Sequence, residues 1–209
     1  LNNLKFIYFD VGGVVLLDFS GTKKWQEMQE AMGVNPSNEA RYQQVWGKYK
    51  ERLSLDYDVD DMIPELKADV GLPLAADFSF LPEFIKRFNP NPAIWPVIEY
   101  AKKHYQIGLL TNMYPRMYQA IAQKTDLLPE VVWDVIVDSS VVKLQKPNPE
   151  IYQLAQKLAK VTNPAEILFV DNIEANLIYP KQMGWQTFLF DCTEPEKSSA
   201  FLSKVIINR

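Results

Sequence analysis

Three hydrophobic runs of this chain stop on polar side chains: KFIYF on Asp10, IGLL on Thr111 and Asn112, and ILFV on Asp171 and Asn172. A fourth polar group, Lys146, stands just ahead of a segment that opens with Pro147 and Pro149. Alone, an aspartate before glycine is an ordinary turn. Together the set offers a carboxylate nucleophile or metal ligand, a hydroxyl with an amide, a cation, and a second carboxylate with an amide. That combination suits phosphoryl transfer. A carboxylate attacking a phosphate dianion meets like-charge repulsion, so cations and donors must strengthen as charge develops on the transferred group. Asp10 and Asp171 could hold Mg2+, with the Gly12 carbonyl as a third oxygen ligand. Lys146 would neutralise the phosphate and pair with Asp10, while Thr111 and the N–H groups of the Val11–Gly13 turn would donate to phosphate oxygens.

Such groups need a scaffold that brings them to one place. The aromatic-rich run from Lys5 predicts a β-strand whose last side chain, Asp10, is displayed at the mouth of a sheet and not buried. Gly12 and Gly13 let the backbone turn tightly behind it. Val14 to Phe19 reads as a short hairpin or flap carrying Asp18. From Gly21 to about Asn89, apolar residues recur at three- and four-residue spacings, which predicts several short helices and no strand. The NPNP stretch, Asn89–Pro92, marks a boundary or hinge. Beyond it helices and strands alternate: helix 93–104, strand 107–110, helix 114–124, strand 133–137, helix 149–160, strand 167–170, helix 173–183, strand 185–190 and a C-terminal helix. Alternation of this kind implies right-handed crossovers and a parallel sheet covered on both faces, with ligands at its carboxyl edge. The expected fold is therefore α/β, a doubly wound, Rossmann-like parallel sheet. Residues 1–18 and 91–209 form its core, and residues 19–90 form an inserted helical cap.

The 209 residues, 47% hydrophobic and 23% charged, suit one substantial core with a modest insert. Net charge is −4, with Lys and Arg scattered, so no duplex-binding stripe is present and nucleic acid is not an expected partner. Cys192 is the only cysteine; it excludes an internal disulfide and a multi-cysteine zinc site, and it fits a reducing cytoplasm. No basic leader followed by a long apolar segment is seen, nor any run near the ~18 apolar residues of a membrane span, so no membrane partner is expected. The expected partner is a small phosphorylated metabolite.

In order along the chain, Phe9-Asp10-Val11-Gly12-Gly13-Val14, Leu109-Leu110-Thr111-Asn112, Lys146-Pro147-Asn148-Pro149-Glu150-Ile151-Tyr152 and Phe169-Val170-Asp171-Asn172 resemble the four motifs of the haloacid dehalogenase-like hydrolase superfamily. The insert resembles its small α-helical cap class. The resemblance implies that Asp10 is the nucleophile forming an aspartyl-phosphate, Thr111 the phosphate-binding hydroxyl, Lys146 the charge-neutralising lysine and Asp171 the acid that holds magnesium. Asn172 stands where a second aspartate is frequent, so Asp171 would bind the ion directly or through water. Asn112, Lys146 and Gly12 join Thr111 as substrate contacts.

One departure matters. Phosphatases of this family usually carry an acid two residues after the nucleophile, and Gly12 has no side chain to protonate a leaving oxygen. General acid–base help is worth roughly 10²- to 10⁴-fold, so the expected substrates are those that leave easily, such as sugar 1-phosphates, aryl phosphates and acyl phosphates. A branch of the family with Asp-x-Gly-Asn-Val resembles this sequence there. Metal-independent dehalogenation is the rival reading, opposed by Asp171. A catalytically weak binding module is another, favoured only by Gly12 and Asn172. His104 reads as a boundary residue, and Asp18 as a turn residue that could reach the site as acid or base. Trp25, Tyr42, Trp46 and Tyr49 are expected to form a small core belonging to the insert.

Overall fold

A computed structural model describes residues 4–124 and 126–207. Residues 1–3 and 208–209, which the sequence reading includes in the core, lie outside the described residues. The first strand, β1 (Phe6–Phe9), is buried at every position, and its side chains alternate between two apolar layers. Ile7 and Phe9 face one layer; Phe6 and Tyr8 face the other. A strand buried on both faces belongs in the middle of a covered parallel sheet.

After β1 the chain makes β2 (Leu16–Leu17) and then leaves the sheet for a helical stretch. This contains α1 (Lys24–Ala31), α2 (Glu39–Tyr49), the short α3 (Ile63–Glu65) between a 3-10 turn and a π turn, and α4 (Phe80–Ile85). The return strand β3 (Asn89–Pro90) pairs antiparallel with β2, Leu16 opposite Pro90 and Leu17 opposite Asn89. Thus the flap and the NPNP stretch, read separately in the sequence, form one two-stranded ribbon.

The remainder alternates as the spacing predicts, except that β5 begins at Val135 instead of Trp133 and a short helix, α7, is added after it: α5 (Trp95–His104), β4 (Gln106–Thr111), α6 (Met117–Ala122), β5 (Val135–Asp138), α7 (Ser139–Val142), α8 (Pro149–Ala159), β6 (Ile167–Asp171), α9 (Glu174–Gln182), β7 (Gln186–Leu189) and α10 (Pro195–Ile207). Strand order is β5-β4-β1-β6-β7 with every pairing parallel. This is the doubly wound α/β architecture. Residues of α5, α6 and α10 cover one face; α8 and α9 cover the other. Helix α6 starts later than the expected Tyr114, because Arg116 adopts a left-handed backbone at φ 68° immediately before it. Gly108 in β4 is a packing glycine, since a Cβ there would lie 2.7 Å from the Tyr8 ring. Tyr8 in turn donates from its hydroxyl to the Ala155 carbonyl at 2.8 Å, which ties α8 to the sheet.

The aromatic residues of the helical stretch do not close off a core of their own, as the sequence reading expects. Tyr42 and Trp46, with Trp25 and Tyr49 packed beside them, belong to the same apolar layer as Ile7, Phe9 and Leu109. Phe84 bridges the two regions through Tyr114, ring centroids 5.5 Å apart. Burial is the reason: these helices are too short to enclose their aromatic faces alone and cover them against the sheet layer. Among the described residues no helix is long and apolar enough to cross a membrane.

Candidate active site

Parallel register carries three strand ends to one edge. Phe9 lies level with Leu109 of β4 and Val170 of β6, so Asp10, Thr111 and Asp171 emerge together. The Asp10 amide donates to the Val170 carbonyl at 2.9 Å and extends this alignment one residue past the strand.

Lys146 stands between the two acids. Its Nζ lies 3.0 Å from Asp10 Oδ1 and 2.6 Å from Asp171 Oδ2, and its side chain is 1% exposed. The loop before α8 is gripped by Asn112: its Nδ2 donates to the Lys146 carbonyl at 2.8 Å, and its Oδ1 accepts from the Lys146 amide at 2.9 Å. Asn112, read in the sequence as a substrate contact, therefore acts here on the Lys146 backbone. The ammonium also lies 5.3 Å from the Phe169 ring centroid, a cation–π contact that favours the charged form.

Asp10 is buried, contrary to the expectation that it is displayed. Its Oδ1 accepts from the Val11 amide at 2.8 Å, and Thr111 and Lys146 hydrogen-bond to the same carboxylate. Burial pushes the Asp10 carboxyl up to about 7; Lys146 opposes this, the Asp171 charge adds to it, and Thr111 opposes it. For Lys146, burial works against the charged form, but the two carboxylates outweigh it and raise the ammonium above its ordinary value. Two buried carboxylates against one ammonium leave a negative surplus in a low-dielectric place.

Asp171 is held by a residue the sequence reading did not single out. Asn176 Nδ2 approaches both carboxylate oxygens, at 3.2 and 3.1 Å, while the Ile173 amide donates to Oδ1 at 2.7 Å. Asn176 is buried on α9 beside Leu177 and Pro180. An amide at an inward helical phase was the available signal. Among the described residues no group of three or more His, Cys, Asp or Glu side chains forms a metal cage. The donors present are two carboxylates and, at Asn172, a buried Oδ1 with no hydrogen-bond partner among the described residues. All are oxygens, and the negative surplus calls for a cation. A hard divalent ion that keeps part of its water shell, as Mg2+ does, fits this set.

Above the edge lies a cavity of about 340 Å3. Gly12, Asp18 and Asn112 contribute to its wall, and most of the rest is carbon from Phe19, Trp25, Trp46, Phe84 and neighbours. Gly12 leaves no empty notch. A Cβ built there would meet Asp18 Oδ2 at 2.4 Å, so the carboxylate of Asp18 occupies the space of a side chain at position 12. At Gly13, φ is +76° and a Cβ would meet the Asn172 amide nitrogen at 2.2 Å; only glycine suits that turn.

Comparison with known proteins agrees with this architecture. The chain is 24% identical over 207 residues to pig (Sus scrofa) bifunctional epoxide hydrolase 2, covering 91% of this chain and 37% of that protein. It is 27% identical over 155 residues to the (S)-2-haloacid dehalogenase of Xanthobacter autotrophicus, covering 72% and 54%. The chain thus spans between a third and just over half of the length of these relatives. Among solved structures, the HAD family enzyme BT-2542 of Bacteroides thetaiotaomicron superposes with a TM-score of 0.75 at 15% identity, covering 91% of this chain and 95% of that one. A wild-type structure of that enzyme is a complex with magnesium and inorganic phosphate. The family model for haloacid dehalogenase-like hydrolases matches residues 4–184. With this match across most of its length, a parallel sheet of the right order and polar residues meeting at its carboxyl edge, the chain belongs to the haloacid dehalogenase-like hydrolases.

Proposed function

We propose that this chain is a magnesium-dependent phosphatase acting on a small phosphorylated metabolite, with Asp10 taking the phosphoryl group. The observation that carries the reading is Lys146, whose ammonium lies within 3.0 Å of one buried carboxylate and 2.6 Å of another at the carboxyl edge of the sheet. A carboxylate oxygen of Asp10 forms the bond to phosphorus as the bond to the leaving oxygen breaks, and water then releases phosphate and restores Asp10. Lys146 and the Thr111 hydroxyl stabilise charge on the transferred group, and backbone N–H groups of the Val11–Gly13 turn donate to it. Asp10, Asp171 and the Gly12 carbonyl would hold Mg2+, which supplies neutralising charge for the phosphate oxygens. Asn112 and Asn176 keep Lys146 and Asp171 in place. The magnesium and phosphate bound by BT-2542 support this reading.

Residues 1–18 and 91–209 serve as the catalytic core and residues 19–90 as a cap that excludes water during transfer. The leaving group faces the carbon-rich cavity, which favours a ring attached directly to the phosphoryl oxygen, as in aryl phosphates and sugar 1-phosphates. We place the protein in a reducing cytoplasm, in keeping with its single cysteine.

Turnover of para-nitrophenyl phosphate tests the reading. We expect activity with Mg2+, loss on chelation, and loss in Asp10→Asn; full activity of that variant would remove the nucleophile assignment. In a phosphorylated-metabolite panel at fixed Mg2+, sugar 1-phosphates should rank above sugar 6-phosphates, and the reverse order would refute the cavity argument. The apolar cavity lined in part by Gly12 and Asn112, with the likeness to a 2-haloacid dehalogenase, favours dehalogenation as second reading. Halide release from a 2-haloacid in excess chelator would establish that alternative.

A further inference from the structure

We propose that Asp18 is the proton carrier of this reaction, delivering a proton to the departing oxygen and taking one from the water that follows. The inference rests on the phosphatase reading above and adds a residue to it. Its basis is the way the chain doubles back behind Asp10. The Gly13 amide donates to the Leu16 carbonyl at 2.8 Å, and the Leu16 amide to the Val11 carbonyl at 3.0 Å, so residues 11–16 close a tight loop. Asn91 and Trp95 pin the outer side of that loop by donating to the Val14 and Val15 carbonyls. The pairing of β2 with β3 then fixes the exit direction, and Asp18 comes to lie against Gly12.

The fit at Gly12 is close. By standard covalent geometry a carboxylate oxygen stands roughly 2.4 Å from the Cβ of its own residue. Asp18 Oδ2 is 2.4 Å from the Cβ position of residue 12, with Asp18 Cγ at 3.1 Å and Cβ at 3.7 Å. The oxygen therefore lies at the distance that a carboxylate carried by residue 12 would reach, two residues past Asp10. It also belongs to the wall of the cavity that Gly12 and Asn112 help to line. The other oxygen, Oδ1, accepts from the Ser20 amide at 2.8 Å and orients the group. Among the described residues Oδ2 has no hydrogen-bond partner.

Other acids and bases at this edge are committed elsewhere. Lys146 is paired with both buried carboxylates, and Asp171 accepts from Lys146, Ile173 and Asn176. Among the described residues Asp18 is the only carboxylate in the cavity wall. In the first step Asp10 bonds to phosphorus, the bond from phosphorus to the leaving oxygen breaks with its electron pair on oxygen, and the Asp18 proton moves to that oxygen. In the second, Asp18 takes a proton from water as the water oxygen bonds to phosphorus and the aspartyl bond opens.

The experiment is kcat/KM with Mg2+ for aryl phosphates whose phenols range from dinitrophenol to unsubstituted phenol. Asp18→Asn should lose roughly 10²- to 10⁴-fold with phenyl phosphate and less than about tenfold with dinitrophenyl phosphate, because a good leaving group needs no proton. A uniform loss across the series, or no loss, overturns the proposal while leaving Asp10 as nucleophile intact. If the wild-type enzyme shows no Asp10-dependent turnover even of dinitrophenyl phosphate, the phosphatase reading itself falls and takes this inference with it. A transplant gives a second readout. Asp18→Ala leaves only the residue-18 Cβ, 3.7 Å from a side chain at position 12. Gly12→Asp added to Asp18→Ala should restore phenyl phosphate turnover by at least tenfold; failure of the double variant to exceed Asp18→Ala would count against proton transfer.

Discussion

Two polar clusters join distant parts of this chain, and they differ in almost every physical respect. At the sheet edge, Asp10, Lys146 and Asp171 are sealed from water, with side-chain exposures of 9, 1 and 0%. At the seam between the helical stretch and the sheet, Arg116 makes a two-pronged contact with Asp58, at 2.6 Å on each arm, and reaches Asp60 at 3.0 Å. Ser54 donates to Gln145 and Lys143 to the Leu55 carbonyl along the same seam. Arg116 is 53% exposed, so water competes for every one of its bonds. Buried charges whose partners are fixed cannot rearrange cheaply, whereas exposed pairs break and re-form at little cost. The contrast suits the proposed arrangement, a rigid site beneath a cap that would open to admit substrate.

Breaking the buried cluster should have the largest effect. Lys146→Met leaves Asp10 and Asp171 facing each other with no compensating charge, and we expect a loss of about 3–5 kcal/mol in metal-free urea unfolding. A loss below 1 kcal/mol would mean that water reaches the cluster. Phe80→Ala addresses the apolar layer that passes beneath both clusters. Phe80 is fully buried, so about 3–5 kcal/mol should be lost, with unfolding remaining a single transition by fluorescence and circular dichroism. Two separate transitions would show that the helical stretch folds as its own unit.

The pH response sharpens the comparison, because the two clusters carry opposite signs. The Asp10 carboxyl is raised from 3.8 to about 7, so between those values the folded chain holds a proton that the unfolded chain has lost. Stability of the metal-free protein should therefore fall as pH rises from about 4 through 7. Asp10→Asn should remove that component of the slope in thermal melts; an unchanged slope would contradict it. For Asp58, burial pushes upward, but hydrogen bonds from Arg116 and the Asp60 amide outweigh it and hold the carboxyl below its ordinary value. Its contribution is present above the unfolded value and lost as pH falls through the lowered one. The smallest effect belongs here: Arg116→Ala should cost no more than about 1 kcal/mol, and only above that acid range. If the seam governs opening, the same variant changes kcat and KM together, which steady-state kinetics reads directly.

Much of this was legible before folding was considered. Hydrophobic runs ending on Asp10, Thr111 and Asp171, separated by helical spacings, specify a parallel sheet and put those residues at its carboxyl edge. Periodicity reports which side of an element is apolar, and the end of a strand is a place that periodicity can locate. The exposure of Asp10 was misread because a strand end shows where a side chain emerges and not how closely Lys146 and Thr111 pack over it.

What tertiary structure alone decided lies in loops and in contacts between elements. Asp18 against Gly12, Asn112 on the Lys146 backbone and Asn176 on Asp171 all depend on the direction in which a turn releases the chain. Such directions follow no repeat, since each is set by a few backbone hydrogen bonds and by whatever space the neighbouring side chains leave. The seamless apolar layer is of the same kind: residue types announce that Trp46 and Phe80 will be buried, but only packing chooses what buries them.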